Sequence, residues 1–285
     1  MVFALCGGDE RIARLASMFV EDGHGVRAWA MEDAPLAEGV RECASADECI
    51  SGAHCVVLPM PLTARRGFLN APFSKRPRCL GEVFTAVRPG SLVCAGGVTA
   101  EARELAEECG ARLADYGALE SFRAVNSLAT AEGAIEAAMA ATDVTLCGTP
   151  CLVIGFGRIG KLLAHRLRGL GAEVTVSARR LDDLAWIDAF GYRGLRTNRL
   201  AGRLGSFRVV FNTVPNMVLT EELLRELPRE CVLLELASQP GFDRAAAEAR
   251  GLKCIAAPGL PGRAAPETAA RAIKLTLEKI WEEEA

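Results

Sequence analysis

The chain has 285 residues, enough for two domains of ordinary size, and 50% of them are hydrophobic, enough for a substantial core. Its 33 basic and 36 acidic residues leave a net charge of −3, which gives no basis for nucleic acid or an anionic membrane as a partner. The start, MVFALCGGDE, lacks a signal peptide's basic opening and cleavage site, and no stretch approaches the ~20 apolar residues of a membrane span, so a soluble, cytoplasmic protein is expected.

Residues 2–6 read as a strand ending at Gly7-Gly8. A helical pattern with Ile12, Leu15, Ala16 and Phe19 on one face follows, and Asp22-Gly23 closes it. Further strands are expected at 26–30, 54–60, 91–95 and 112–116, with a helix capped by Thr99 running to about Cys109. Alternation at this spacing implies a parallel sheet covered on both faces, and five such strands predict a flavodoxin-like first domain over 1–125. Gly7-Gly8-Asp9 lacks the third glycine and the Lys-Ser/Thr of a phosphate loop and reads as a βα turn. The aperiodic stretch 59–66 reads as a loop at a strand C-terminus, where Arg65 and Arg66 could meet an anion or simply stay in solvent.

Residues 126–143 are small and apolar, and predict an interdomain helix with Thr130 as N-cap and Ala131-Glu132-Gly133 in its first turn. The second domain, 144–265, turns on CLVIGFGRIGKLLAHRLRGLGAEVTVSARR. This reads strand, G-x-G-x-x-G, helix, strand, the order of a dinucleotide site. Gly155 permits the turn, Gly157 admits a pyrophosphate, and Gly160 lets helix and strand close. Phe156, Arg158 and Ile159 fill the fingerprint, and the pyrophosphate would sit on the free N–H groups of the helix.

An NAD site usually has Asp or Glu about 20 residues on, for the ribose 2′-OH. Here Ser177-Ala178-Arg179-Arg180 stands instead, and a hydroxyl with two forked guanidiniums suits a 2′-phosphate. NADP is therefore favoured over NAD. The competing reading makes the arginines a solvated turn and gives the ribose to Asp182 or Asp183, which sit better as caps of the next helix.

Six strands are expected here, at 151–155, 173–177, 192–196, 208–213, 231–236 and 252–256, as a Rossmann sheet requires. Asn212, Thr213, Val214 and Pro215 end the fourth, and Ala237 and Ser238 follow the fifth; both ends should border the nicotinamide half. Three prolines and two glycines in 257–266 predict a stiff loop. The final amphipathic helix, within 266–285, has Ala270, Ile273, Leu277 and Ile280 on one face and is expected to complete the first domain. Eleven cysteines form no C-x-x-C pair and read as free thiols of a reducing compartment, and with three histidines they make no metal site.

Four stretches together carry a resemblance: Asn126-Ser127 with Thr130-Ala131-Glu132-Gly133, the glycine fingerprint with SARR, Leu236-Ala237-Ser238-Gln239-Pro240-Gly241, and Ala257-Pro258-Gly259-Leu260-Pro261-Gly262 with Ala265-Pro266 and Thr268-Ala269. The chain resembles the dipicolinate synthase A-subunit family of spore-forming bacteria over nearly its whole length. The resemblance implies an oxidoreductase that takes a dihydrodipicolinate-type intermediate to dipicolinate with NADP, in the mother cell during sporulation. It also implies a partner, the dipicolinate synthase B subunit, and leaves homo-oligomers open. Two carboxylates must then be held. Asn126, Ser127, Thr130, Arg65, Arg123 and Arg263 are the candidates, with capping and surface charge as the plainer account of each. Glu132 is a candidate base, although a first-turn Glu commonly complements the helix dipole. Asn126 is the other weak catalytic candidate.

No His follows His165, and the fifth strand ends Ala-Ser-Gln with no Arg, which counts against 2-hydroxy acid oxidation. His24, His54 and His165 read as turn, strand-edge and helix-surface residues. Two other readings stand beside this one. An amino-acid dehydrogenase relative would need an Arg and a Lys in its pocket, and the first domain offers only Lys75. A non-catalytic, nucleotide-binding regulatory protein would explain the lack of an obvious acid or base.

Overall fold

The computed structural model describes residues 1–257 and 259–284; Pro258, part of the loop expected at 257–266, lies outside the described residues. The chain divides into two compact units, Met1–Asn126 together with the segment from Ala265 onward, and Ser127–Ala264.

The first unit opens with β1 (Val2–Cys6), α1 (Glu10–Glu21), β2 (Gly25–Trp29), β3 (Val40–Glu42), α2 (Ala46–Ile50) and β4 (Cys55–Val57). A hairpin of β5 (Thr63–Arg65) and β6 (Phe68–Leu69) leads to α3 (Leu80–Ala86), β7 (Leu92–Ala95), α4 (Ala100–Cys109) and β8 (Arg112–Asp115). Among the described residues the sheet order is β3-β2-β1-β4-β7-β8, all parallel. Without its edge strand this is the flavodoxin order. β3 adds a sixth strand that its sequence does not announce, because Val-Arg-Glu is too short to show a period of two. The loop expected at 59–66 is in part the β5–β6 hairpin, turned at Gly67 with φ +75°.

Local chemistry fixes the helix starts. The Asp9 carboxylate accepts the Arg11 amide at 3.1 Å, and the Thr99 hydroxyl accepts the Ala102 amide at 3.2 Å. Two apolar layers cover the sheet. One joins Phe3, Leu5, Ile12 and Phe19 to Ile273 and Leu277 of α11 (Pro266–Glu284). The other gathers Ala4, Cys6, Trp29, Leu58 and Phe84. The stripe expected on the last helix, Ala270, Ile273, Leu277 and Ile280, is buried, and Trp281 stacks on Phe3 at 4.6 Å.

The chain enters the second unit within α5 (Glu120–Ala141). The helix starts at Glu120 rather than Asn126, because Phe122 sinks into the first unit's core and draws the preceding turn into helix. Thr130 is therefore an interior helical residue and not an N-cap. The amides of 130–133 are bonded within the helix instead of being free for an anion.

The second unit contains β9 (Pro150–Ile154), α6 (Arg158–Gly169), β10 (Glu173–Ala178), α7 (Leu181–Ala189), β11 (Arg193–Arg196), β12 (Val209–Asn212), α8 (Glu221–Leu224), β13 (Val232–Glu235), α9 (Arg244–Ala249) and β14 (Lys253–Ala256). Its described sheet has the order β11-β10-β9-β12-β13-β14, the doubly wound dinucleotide topology, with a strand at each of the six expected places. The segment expected as a loop contains α10 (Leu260–Ala264). Pro261 sits in its first turn, where a missing N–H costs nothing, and the turn buries Leu260, Pro261 and Gly262.

Candidate functional site

The three fingerprint glycines are required for three different physical reasons. Gly155 has φ +104°, and a Cβ there would run into the Thr213 hydroxyl and lie 2.7 Å from Val214 Cγ1. A Cβ on Gly160 would overlap the Gly155 carbonyl oxygen, so this glycine is what lets α6 close on β9. Gly157 differs from both. Its φ of −77° suits any residue, and a Cβ there would meet nothing within 4 Å. The fold makes no demand for glycine at 157, and the clear space lies at the N-terminus of α6. That turn carries Arg158 and no acid, so the direction of its first amides, the helix dipole and the basic side chain all favour an anion.

Gly155, Phe156 and Gly157 form one side of a cavity of about 500 Å³. Ala178, Arg179, Arg180 and Asp183 line the end of β10 and the start of α7, Thr197 and Asn198 lie beyond β11, and Val214, Asn216, Met217 and Val218 follow β12. All lie at or past strand C-termini, where ligands bind in such sheets. Among the described residues Arg179 makes no hydrogen bond or ion pair, whereas Arg180 is held by Asp182 at 2.8 Å, both largely exposed. Ser177 does not line the cavity. It is fully buried in β10, and its hydroxyl oxygen accepts the Thr197 hydroxyl at 3.3 Å.

The ends of β12 and β13 are tied to one another. Asn212 is buried, and its amide donates to Glu235 Oε1 at 2.6 Å and to the Val214 carbonyl at 2.9 Å. Glu235 also accepts the amides of Ala237 at 3.1 Å and Gly241 at 2.7 Å. The Gly241 carbonyl accepts the amides of Val218 and Leu219, and a Cβ on Gly241 would strike the Asn212 side chain. Thr213 spends its hydroxyl on the Ile154 carbonyl at 2.8 Å. Asn212 and Thr213 therefore shape the cavity wall from behind, and of the expected loop residues only Val214 lines it. Pro215 and Ser238 are exposed and Ala237 half-buried, none of them in the lining. Arg158, Ile159 and Gly160 stand just inside α6, outside the lining.

Thr197, Asn198, Asn216, Met217 and Val218 were reachable from the sequence only by extending the strand-end rule up to three residues further, since none belongs to a motif.

The other candidates are divided between the two units. Glu132 pairs with Arg166 at 2.9 Å on an exposed face, an arrangement of helix support rather than of a poised base. Ser127 and Thr130 are buried in α5, and Asn126 is half-buried. Arg65 is exposed with its guanidinium 4.2 Å over the Phe68 ring, and Arg123 donates its Nε to the Gly117 carbonyl at 2.8 Å. Arg263 is exposed on α10. The Gly7-Gly8-Asp9 turn is closed on itself: the Asn70 carbonyl takes the Gly8 amide, and buried Arg11 takes the Asp9 carboxylate at 2.8 Å and the Met60 carbonyl. His24 packs on Phe3, His54 accepts the Val2 amide at 2.9 Å, and His165 is exposed on α6. Among the described residues no three His, Cys, Asp or Glu side chains group as a metal site would require.

Comparison with known proteins adds to this geometry. Residues 2–117 match the family described as the N-terminal domain of the dipicolinate synthase A subunit, and residues 126–244 match the NAD binding domain of S-adenosyl-L-homocysteine hydrolase. The dipicolinate synthase A subunit of Bacillus subtilis is 32% identical over 230 residues, covering 80% of this chain and 77% of that protein. The crystal structure of the dipicolinate synthase A subunit from Bacillus halodurans superposes with a TM-score of 0.86 at 28% identity, covering 98% of this chain and 97% of the other. L-alanine dehydrogenase, at 14% identity and a TM-score of 0.66 over 97% of this chain and 87% of the other, shares the fold.

Proposed function

The chain belongs to the dipicolinate synthase A-subunit family, and from that premise we propose that it oxidises a dihydrodipicolinate-type intermediate to dipicolinate, with NADP as hydride acceptor, in the mother cell of a sporulating bacterium. Its dehydrogenase-like fold and nicotinamide-dinucleotide domain make it an oxidoreductase. The observation that carries the cofactor reading is the clear space at Gly157, on a helix N-terminus, in the lining of a cavity that Arg179 also lines.

The first amides of α6, at Gly157 and Arg158, would hold the pyrophosphate. Ala178, Arg179 and Asn198, which line one cavity, would hold the adenosine ribose, and the Arg179 guanidinium would supply forked donors for a 2′-phosphate. When bound, the nicotinamide supplies a hydride acceptor. The substrate loses a hydride from one ring carbon and a proton from its neighbour to water, and gains aromaticity. That gain provides much of the driving force, so the protein's task is to position and to shield. Arg65 and Arg123 of the first unit, with exposed forked donors, are the groups proposed for the two carboxylates. The B subunit, implied by the family's A-subunit name, completes the active assembly.

The test is a titration of the purified chain with NADPH and NADH, then nicotinamide absorbance with a dihydrodipicolinate preparation, with and without the B subunit. Dinucleotide binding with substrate-dependent reduction of NADP is expected. Binding without turnover in either setting would favour a regulatory role, and no binding would reduce the fingerprint to a structural turn.

A further inference from the structure

The cavity carries three charged side chains, and they do not agree about what should be bound. Arg179 is the uncompensated cation, with no hydrogen bond or ion pair among the described residues. Arg180 is neutralised locally, because Asp182 holds its guanidinium at 2.8 Å. Asp183 lines the same cavity from the first turn of α7; among the described residues it accepts no hydrogen bond and forms no ion pair, although its charge also reaches the Arg180 guanidinium.

A ribose 2′-OH is a donor and wants a carboxylate acceptor. A 2′-phosphate brings about two negative charges and wants a guanidinium with no carboxylate beside it. Arg179 serves the second demand and Asp183 the first, on one side of one cavity. Across Arg179, Arg180, Asp182 and Asp183 the formal charges cancel, so neither nucleotide is favoured by net charge.

We infer that Asp183 is a specificity determinant that opposes Arg179, and that the site therefore accepts both NAD and NADP with similar affinity. This rests on the nucleotide-binding reading above and widens its cofactor from NADP alone to both nucleotides. The plain account of Asp183 is that a first-turn carboxylate complements the dipole of α7. That account predicts a change in stability and no change in the ratio of the two affinities.

The experiment titrates the purified full chain, as wild type, Asp183→Asn, Arg179→Ala and Asp182→Asn, with NADH and NADPH separately, following the fluorescence of the bound nicotinamide. Wild type is expected to bind the two within about tenfold of each other. Asp183→Asn should weaken NADH and tighten NADPH, moving the ratio about tenfold, the change carried by one charge-assisted contact. Arg179→Ala should move the ratio the opposite way. Asp182→Asn removes the carboxylate that holds Arg180 and leaves only the charge of Asp183 acting on it, so it should tighten NADPH and leave NADH unchanged. Because both affinities come from one preparation, a partly unfolded variant changes both together and leaves the ratio intact. A wild type that prefers one nucleotide more than about tenfold, or an Asp183→Asn ratio equal to wild type, overturns the inference while the site survives. Failure of wild type to bind either nucleotide overturns the site itself, and the inference with it.

Discussion

Gly157 is the residue at which fold and function separate most cleanly. Gly155 and Gly160 are glycine because the backbone path and the helix–strand approach leave no room, but Gly157 has room and an ordinary φ. Gly157→Val is therefore expected to leave the melting temperature near that of wild type and to weaken NADPH and NADH binding at least a hundredfold, since branched carbons would fill the phosphate cradle. Circular dichroism melts beside fluorescence titration check both halves, and a variant that binds normally would refute the cradle. The motif itself was readable, because its three spacings are covalent. The roles of Ser177, Asn212 and Thr213 were not. Side-chain direction along a strand, and the pairing of Asn212 with Glu235 across neighbouring strands, are set by register, which no local window contains. Glu32 offers a second residue-scale test. Burial pushes its carboxyl up, but its own amide, Ser74 and Arg78 together outweigh that and hold it below 4.5. A carboxyl lowered on folding adds stability above its unfolded value and loses it as pH falls through the folded one. Stability should thus fall as pH drops below 4.5, and Arg78→Met should flatten this part of the profile, read as melting temperature against pH.

At the scale of elements, sequence served best where period and length cooperated. The buried runs of β1, β9, β12 and β13, and the long stripe of α11, stood where their patterns put them. The hairpin β5–β6, the strand β3 and the helix α10 did not show, because two to five residues cannot carry a periodicity. The extra turns of α5 came from tertiary packing of Phe122, which overrides the local cap signal at Thr130. The Thr130-Ala131-Glu132-Gly133 motif also has a packing explanation. A Cβ at Gly133 would stand 2.8 Å from Ala264 Cβ and 3.1 Å from Leu260 Cδ2, so the glycine lets α5 and α10 touch. Gly133→Leu should overpack that contact and cost about 1–3 kcal/mol, visible as a lower denaturation midpoint. Nucleotide affinity should persist, because the contact lies outside the cavity lining. A midpoint unchanged from wild type would assign the motif to something other than packing.

The molecule as a whole is built by insertion: residues 127–264 interrupt the first unit, and α11 returns to it. Ala270, Ile273, Leu277 and Ile280 are buried in that unit's core, and Trp281 stacks on Phe3. Burying three large aliphatic side chains is worth roughly 5–9 kcal/mol, comparable with the whole stability of a domain, ~5–15 kcal/mol. Ending the chain after Ala264 should therefore unfold the first unit while the second still melts cooperatively and binds dinucleotide. Calorimetry and titration of that truncated chain check it, and two intact transitions would show α11 to be dispensable. The same arrangement sets a schedule for the ribosome. All strands of the first sheet emerge before residue 127, yet the helix that covers one face of that sheet follows only after the inserted residues have been made. At ~5–20 residues per second this leaves an apolar face around Phe3, Phe19 and Leu5 uncovered for on the order of ten seconds in every round of translation. The nascent chain is a natural client for chaperones through that interval, and slow codons placed between residues 127 and 264 would lengthen its exposure.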